Sequence, residues 1–206
     1  MGIAARKAKE KEDLRRAILD AARALFLQHG YERTSMRMIA QRIAYSPTTL
    51  YLYFKDKDAI FHALHSEAFQ LLGGRLAPLA HVADPMERLF AMGRVYLHFA
   101  LEHPELYDLM FIMEAPMCVV DEMHIWEEGD NVFRVLTATV GEAMKQKKLR
   151  KGDVEITSFL IWGTVHGMAA LHVRDRCFKV ISPEKHEHLL EDGLDLFISW
   201  LKGLKP

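Results

Sequence analysis

The sequence predicts an all-α protein built from about nine helices. Two observations carry this prediction: apolar residues recur at three- and four-residue spacing along nearly the whole chain, and the alternation typical of strands is almost absent. With 206 residues, 50% hydrophobic and 27% charged, the chain has ordinary globular composition and is long enough for one large domain or two small ones.

The first helix follows a charged stretch, residues 1–12, for which we expect a flexible tail. Gly30 supplies the end of this helix, and its apolar face carries Leu14, Ile18, Ala22, Leu25 and Phe26. Thr34 is a natural N-cap for a second helix, whose apolar stripe consists of Met36, Ile39, Ala40 and Ile43.

A short third helix is predicted from two neighbouring start signals. Ser46 is a favourable N-cap, and Pro47 follows at the first helical position, where its missing N–H costs nothing. Leu50 and Phe54 lie four residues apart, so both face inward.

The remaining helices begin at acidic caps or prolines. Asp56 caps a fourth helix over residues 57–72, which we expect to end at Gly73 and Gly74. A long amphipathic stretch runs from about 121 to 148. Helices are also predicted to start at Asp84, Pro104, Asp153 and Pro183.

The second and third helices, joined by a short turn and braced by the first, form a helix-turn-helix unit. In such a unit the second helix enters the major groove of DNA, where hydroxyl groups bond phosphates or base edges. Lys57 adds a positive charge one turn on. The hydroxyl residues that lie off the buried stripe of the third helix are Ser46, Thr48, Thr49, Tyr51 and Tyr53. The alternative is a small solvated helix whose tyrosines fill gaps.

The charge distribution agrees with a DNA-facing end. Residues 1–65 hold 12 Lys and Arg against 7 Asp and Glu, whereas the rest of the chain holds 15 against 21. A positive end suits a polyanionic partner. We therefore expect a DNA-binding domain over 13–60 and an effector-binding and dimerisation domain over 61–206.

From Ile18 to Leu64 the sequence resembles the N-terminal domain of the TetR family of transcriptional repressors. The matching features are "AARALFLQHGY", "T-S-M-R-x-I-A" and "S-x-x-T-L-Y-x-Y-F-x-x-K", in that order. The resemblance implies that Thr49, Tyr51, Tyr53 and Lys57 contact DNA, with Ser35 and Arg37 near the backbone. Thr48 stands where the family most often has Gly, and Tyr45 where a small or β-branched residue is usual. These departures bear on base preference and leave the binding mode unchanged.

The segments "HPELYDLMF" and "WGTVHG" resemble the C-terminal domain of a TetR subgroup named for its Trp-His-Gly motif. The last two helices, about 154–174 and 184–204, are apolar over most of their circumference, more than one subunit would cover. We expect them to form a homodimer interface, which would set two recognition helices ~34 Å apart on DNA.

The segment from Met86 to Phe133 is rich in Met and aromatic residues. Such side chains suit a pocket for a small apolar or aromatic effector, and equally suit a plain core. The candidate ligand-binding residues are Met92, Tyr96, Phe99, Met110, Met113, Met117, Trp126, Trp162 and His166. His98 and His166 also fit satisfied core histidines.

No catalytic motif appears, so we expect no enzymatic activity and no cofactor. The histidine pairs lack Cys or carboxylate partners at ligand spacing, so we expect no metal site. The run from Ile156 to Val173 approaches membrane-spanning length, but its Ser, Thr and two His favour a buried core helix. A helical enzyme using Glu114 and His166, or an interaction module without DNA binding, remain alternatives. The preferred interpretation is a cytoplasmic repressor released from a palindromic operator by its effector.

Overall fold

The computed structural model describes residues 2–113 and 127–203, and of residues 127 and 128 the backbone only. Over these residues the chain forms nine α-helices and no strand, which confirms the predicted all-α class. The helices are α1 (Ile3–His29), α2 (Met36–Arg42), α3 (Pro47–Tyr51), α4 (Lys57–Leu76), α5 (Pro85–Glu102), α6 (Pro104–Phe111), α7 (Glu127–Lys145), α8 (Val154–Val173) and α9 (Leu189–Gly203).

The described residues separate into two compact units. The first, called the head below, contains the residues up to Ala68 and those from Asp108 to 113. The second, called the body, contains Phe69–Tyr107 and 127–203. Helices α4 and α6 each begin in one unit and end in the other. The functional division at residues 60 and 61 stays a prediction.

The core of the head joins the apolar faces of its first four helices. Its fully buried members are Ile18, Leu19, Ala22, Phe26, Ile39, Ala40, Leu50 and Ile60. The predicted faces of α1 and α2 and the inward positions of Leu50 and Phe54 are therefore confirmed. Burying each large apolar side chain contributes about 1.5–3 kcal/mol, so this cluster fixes how α3 is presented.

In the body, α5 packs against α7, α8 and α9. Gly93 allows the close approach of α5 and α9, because a Cβ atom at this position would lie 2.8 Å from Cδ1 of Leu194. Leu194 is itself almost fully buried. A residue with a Cβ atom at position 93 would therefore require the Leu194 side chain or the two helices to shift.

Several helix caps are as predicted. Ser46, Asp84 and Asp153 accept hydrogen bonds from the backbone N–H groups of Thr49, Met86 and Ile156. Asp56 likewise accepts from the N–H of Ala59, at 2.8 Å. Gly30 has the positive φ expected at the end of α1, 79°, but its ψ of 162° lies outside the left-handed helical region. Local hydrogen bonding accounts for all of these boundaries.

The predicted cap at Thr34 is wrong. Ser35 caps α2, accepting from the N–H of Met38 at 3.3 Å. Thr34 is buried, and its hydroxyl lies 2.9 Å from the carbonyl oxygen of Gly30 and 3.2 Å from that of Leu25. The Thr34 hydroxyl therefore bonds carbonyl oxygens at the C-terminal end of α1 and does not cap α2.

Three helix ends also differ from the prediction. Helix α4 continues through Gly73 and Gly74 to Leu76, because the buried Leu72 and Leu76 hold it by packing that outweighs glycine's low helix propensity. Pro183 opens only a short 3₁₀ turn, and α9 begins at Leu189. Helix α1 begins at Ile3, so the stretch expected to be a tail is helical. Of the long stretch predicted over 121–148, the described part is α7.

Helix α8 has the length and apolar composition of a membrane span, but a single helix of this kind is weak evidence for one. A single chain does not bury this helix, and its predicted burial in a dimer interface stays a prediction. Only 22% of its most apolar window is buried, and Phe159 is 58% exposed. An apolar face on α8 is thus left uncovered in the single chain.

Candidate DNA-binding surface and effector site

Helix α3 has only five residues, and its geometry is set by hydrogen bonds at its start and burial beneath it. The Ser46 hydroxyl accepts from the N–H of Thr49 at 3.2 Å and lies 2.9 Å from the Thr49 hydroxyl. Leu50 is fully buried and Phe54 nearly so. The short helix is therefore anchored from below while its other side chains point outward.

The predicted DNA-binding residues differ in exposure. Ser46, Thr48 and Tyr51 are exposed, with 55% of Tyr51 open to solvent. Thr49 is half-buried, and Tyr53 follows the end of α3 and packs partly against the core of the head. Thr48 and Tyr51 are thus the most accessible hydroxyl groups of α3.

Ser35 and Arg37 lie at the first turn of α2 and are exposed. Ser35 is already engaged as the N-cap, which orients the backbone of this turn. Arg37 makes no ion pair among those found in the described part of the chain, so its guanidinium is available to a phosphate.

Lys57 is half-buried and held by the segment that follows α1. Its ammonium donates to the carbonyl oxygen of Tyr31 at 2.9 Å and lies 4.0 Å from the centre of the Tyr31 ring. The Tyr31 hydroxyl bonds in turn to the Asp58 carboxylate. A lysine has three donor protons, so this contact fixes the position of the charge and leaves donors for a further partner.

The turn between α2 and α3 contains a backbone strain that the sequence alone did not indicate. Ala44 has φ of 58°, in the left-handed region that costs a residue with a Cβ atom about 1–2 kcal/mol. Hydrogen bonds from the N–H of Ala44 to Gln41 and from that of Tyr45 to Ala40 hold the turn. The angle between α2 and α3 is therefore maintained against a local penalty.

Sequence reasoning missed four exposed side chains next to α3. Arg42 and Lys55 are exposed cations, and Tyr45 and Leu52 are exposed apolar groups, Leu52 at 78%. Lys55 could have been predicted from the sequence, because it lies only two residues before Lys57, which was already a candidate DNA contact. The exposure of Leu52 was not readable from the sequence, because it depends on how the turn after α3 packs.

A polar cluster in the body joins three helices. The hydroxyls of Tyr96 on α5 and Tyr107 on α6 each lie 2.9 Å from Nδ1 of His166 on α8. The Tyr107 hydroxyl is also 3.1 Å from the backbone carbonyl oxygen of His166, and Nε1 of Trp162 donates to the Tyr96 hydroxyl at 3.4 Å. We call these four residues the Tyr-His cluster.

The Tyr-His cluster is electrically neutral near pH 7. Burial raises the pKa of Tyr96 far above its ordinary value, and the nearby Tyr107 raises it further. Burial lowers the pKa of His166, which favours the uncharged imidazole. The cluster can therefore exchange hydrogen bonds with a ligand without presenting a charge to it.

Aromatic rings extend from this cluster. The Tyr107 ring stacks on His166 at 5.4 Å between centres, and Trp162 lies 5.5 Å from His166. Phe133 and Phe159 contact Trp162 edge-on, with ring centres 6.3 and 6.4 Å from its own. Neither Tyr107 nor Phe133 was among the predicted site residues, although both belong to segments singled out as aromatic.

The structure brings together three of the nine candidate ligand-binding residues, namely Tyr96, Trp162 and His166. Met92 and Phe99 are buried in the body, and Met110 and Met113 belong to the head, where Met113 packs against its core. Met117 and Trp126 lie outside the described residues, as does Glu114. His166 is satisfied as a core histidine would be, whereas His98 is exposed, contrary to that expectation.

The apolar faces of the last two helices are open in the single chain. Trp200 on α9 is 62% exposed, and a Cβ atom added at Gly163 or Gly167 on α8 would meet nothing within 4 Å. The other large exposed apolar residues of these helices are Ile156, Phe159, Leu160, Leu171 and Leu196. A surface of this size and kind marks a contact site.

A helix-turn-helix with an exposed, hydroxyl-bearing second helix, carried on a helical body, defines a DNA-binding transcriptional regulator. Residues 18–64 match the family model described as bacterial regulatory proteins, tetR family, and residues 89–197 match the Tetracyclin repressor-like C-terminal domain. The chain belongs to the TetR family. The narrower Trp-His-Gly subgroup stays a prediction.

Individual relatives agree with this assignment. The HTH-type transcriptional regulator RutR of Escherichia coli O157:H7 is 26% identical over 198 residues, covering 87% of this chain and 90% of RutR. The fatty acid degradation regulator FadR from Bacillus halodurans has a TM-score of 0.71 at 18% identity, covering 89% and 94% of the two chains. AibR in complex with isovaleryl coenzyme A and operator DNA has a TM-score of 0.70 at 22% identity, covering 93% and 99%.

Proposed function

We propose that this regulator is a homodimeric repressor that leaves a palindromic operator when a small apolar or aromatic effector binds in its body. The observation that carries the proposal is the presence of two separate polar sites. One is the exposed hydroxyl surface of α3 in the head, and the other is the neutral Tyr-His cluster in the body, in which both tyrosines are buried. Two sites on one chain are what coupling between DNA and effector requires.

In the head, Thr48 and Tyr51 would meet base edges, while Ser46 and Thr49 would bond phosphates or bases beside them. Hydroxyls serve either target, and a threonine methyl packs on a thymine methyl. Ser35, Arg37 and Lys57 would contact the DNA backbone. Tyr53 is half-buried, so it would contribute at most its hydroxyl group. The exposed cations Arg42 and Lys55 would add to the positive charge that faces the DNA backbone.

The uncovered faces of α8 and α9 would pair across a two-fold axis to form the homodimer. Gly163 and Gly167 leave room for a helix to approach closely, and the large apolar side chains around them supply the contact area. A two-fold dimer would place two copies of α3 ~34 Å apart, one turn of DNA, which predicts a palindromic operator.

The effector would bind against the Tyr-His cluster through one polar group and against Trp162, Phe133 and Phe159 through its apolar part. Because the cluster is neutral, it favours a carbonyl or hydroxyl over a charged group. Met92 and Phe99 would bound the pocket in the body. The similarity of the fold to AibR with its isovaleryl coenzyme A, and to FadR, supports a compound with an acyl chain.

Helix α4 would transmit the effect, because it is one continuous helix that starts in the head at Lys57 and ends in the body at Leu76. A displacement of its end by the effector would change the spacing of the recognition helices. A coupling of about 1–3 kcal/mol would weaken operator binding by roughly 5- to 150-fold. The protein would act in the cytoplasm as a transcriptional regulator without enzymatic activity. Its similarity to RutR, which is named a transcriptional regulator, supports this role.

The experiment is a selection of bound sequences from a random duplex pool at two salt concentrations, followed by titration of the selected duplex. We expect a palindromic motif bound by a dimer. Lys57→Ala should lower the salt slope by about 0.9 for all sequences, whereas Tyr51→Ala should change sequence preference. An enriched motif without two-fold symmetry would contradict the proposed dimer.

The effector site is tested on the same operator by fluorescence anisotropy with a panel of acyl coenzyme A thioesters and the corresponding free acids. We expect at least one to release the wild-type protein and to act much more weakly on Tyr96→Phe. The matched control is Tyr45→Phe, which removes a hydroxyl from the head. Equal response of wild type and Tyr96→Phe to an active compound would show that the effector binds elsewhere.

A further inference from the structure

The first turns of α1 are open to solvent. Every side chain from Ile3 to Asp13 is exposed, and Leu14 is the first to pack against the core of the head. We call Ile3–Asp13 the α1 overhang. At 1.5 Å per residue it is about 16 Å long, so a considerable length of helix projects beyond the domain that anchors it.

The charges of the overhang are arranged so that its outer part is purely cationic. Arg6, Lys7 and Lys9 all precede the first acidic residue, Glu10. Arg6 pairs with Glu10 at 3.4 Å, whereas Lys7 and Lys9 take part in none of the ion pairs found among the described residues. Lys7 and Lys11 lie four residues apart, so they share one face of the helix.

Two features of the overhang disfavour a free helix. Its cations lie near the helix start, where positive charge is unfavourable, and its first turn has no acidic residue. An isolated helix of this length is marginal in water even with good helix formers. A segment of this kind gains stability when a negatively charged surface neutralises it.

The overhang is continuous with the helix that builds the DNA-binding head. Ile18, Leu19 and Phe26, further along α1, are fully buried in the head core beneath α3. Close to the base of the overhang, the Arg15 guanidinium carbon lies 5.4 Å from the centre of the Phe54 ring, just after α3. The overhang belongs to the unit that binds a polyanion, so DNA is the partner whose charge suits it.

We propose that the α1 overhang binds the phosphate backbone of the DNA that flanks each operator half-site, with Lys7, Lys9 and Lys11 supplying the charge. This inference rests on the operator binding proposed above and extends it beyond the helix-turn-helix. A reach of about 16 Å corresponds to roughly five base pairs at 3.4 Å each. The contact is to phosphates, so it adds affinity without adding sequence preference.

A membrane surface is a poorer partner for the overhang. Apart from Ile3, its apolar residues are alanines, so it lacks the large apolar face that interfacial helices insert into lipid. The acidic part of the same chain is a second possible partner, and the experiment separates it from DNA.

The experiment compares the variant Lys7→Gln/Lys9→Gln/Lys11→Gln with wild type on two duplexes, one limited to the selected operator and one extended by eight base pairs at each end. The control variant is Lys145→Gln/Lys151→Gln/Lys179→Gln, which removes the same charge from three exposed positions of the body. We expect wild type and control to bind the extended duplex at least tenfold more tightly than the short one. The overhang variant should lose this gain, and its salt slope should fall by up to about 0.9 per lysine.

The outcomes distinguish this inference from the proposed function. If wild type binds the operator with salt dependence but the overhang variant matches the control on both duplexes, the overhang does not contact DNA. Lower thermal stability of the overhang variant with unchanged DNA affinity would place the segment against its own chain and overturn the inference. If wild type itself fails to bind any selected sequence, the operator proposal fails first.

Discussion

In the head, Tyr51 leaves more than half of its surface in solvent at the tip of a five-residue helix, whereas in the body Tyr107 is completely buried with its hydroxyl 2.9 Å from His166. The same side chain thus serves an open surface in one unit and a closed polar interior in the other. The head obtains rigidity from apolar residues underneath its polar surface. The body obtains it partly from the polar groups themselves, so removing a hydroxyl should lower stability in the body and affect DNA binding in the head.

The largest effect should come from removing the apolar support under α3. Leu50→Ala should destabilise the protein by about 2–5 kcal/mol and abolish operator binding, because a fully buried side chain leaves a cavity. Leu52→Ala, two residues on and 78% exposed, is the matched control and should change stability by no more than about 0.5 kcal/mol. Chemical denaturation followed by circular dichroism measures both. Similar losses for the two variants would contradict the assignment of Leu50 as the anchor.

A hydroxyl deletion in each unit tests the comparison directly. Tyr107→Phe should cost about 0.5–1.5 kcal/mol, because it removes the buried hydrogen bond from the Tyr107 hydroxyl to the carbonyl oxygen of His166. Tyr51→Phe should leave stability unchanged within about 0.5 kcal/mol and weaken or alter operator binding instead. Unfolding curves and anisotropy titrations on the same preparations give both values. A stability loss confined to Tyr51→Phe would reverse the roles described here.

Relief of the strained turn should have a smaller effect, of opposite sign. Ala44→Gly should stabilise the protein by about 1 kcal/mol, because glycine adopts the φ of 58° without a Cβ clash. For a chain of this size the melting temperature should rise by about 2–4 °C. Ala40→Gly, in the interior of α2 and fully buried, should destabilise the protein and serves as the control. A lower melting temperature for Ala44→Gly would show that the turn needs the alanine methyl.

The smallest effect should be a pH dependence that belongs to the body. Burial lowers the pKa of His166 below its usual 6.5, so His166 binds a proton more readily in the unfolded chain than in the folded protein. The stability from this residue is fully present above pH 6.5 and is lost as the pH falls through the folded pKa. Among the described residues, its neighbours Tyr96, Tyr107 and Trp162 are uncharged.

Replacement of His166 should therefore make the free energy of unfolding depend less steeply on pH. The unfolding free energy of wild type should fall more steeply between about pH 7.5 and pH 5 than that of His166→Gln. His98→Gln, at an exposed position, is the control and should keep the wild-type slope. Parallel profiles for wild type and His166→Gln would show that the ring is not held neutral by the fold.

The sequence by itself determined the features that depend on interactions within one helical turn. Caps at Ser46, Asp84 and Asp153, the proline start of α3 and the inward Leu50 and Phe54 all follow from local hydrogen bonds and spacing. Local order and spacing also identified the TetR resemblance, since its motifs lie within one short stretch.

Only the tertiary structure decided which distant residues meet and which local preferences yield. Tyr107 joins His166 across 59 positions of sequence, which no periodicity indicates. Thr34 turns back to the end of α1, and α4 continues through two glycines, because contacts with the rest of the fold outweigh the local signals. Local preferences are worth about 1 kcal/mol or less per residue, whereas burial of a large side chain is worth more, so packing prevails where the two disagree.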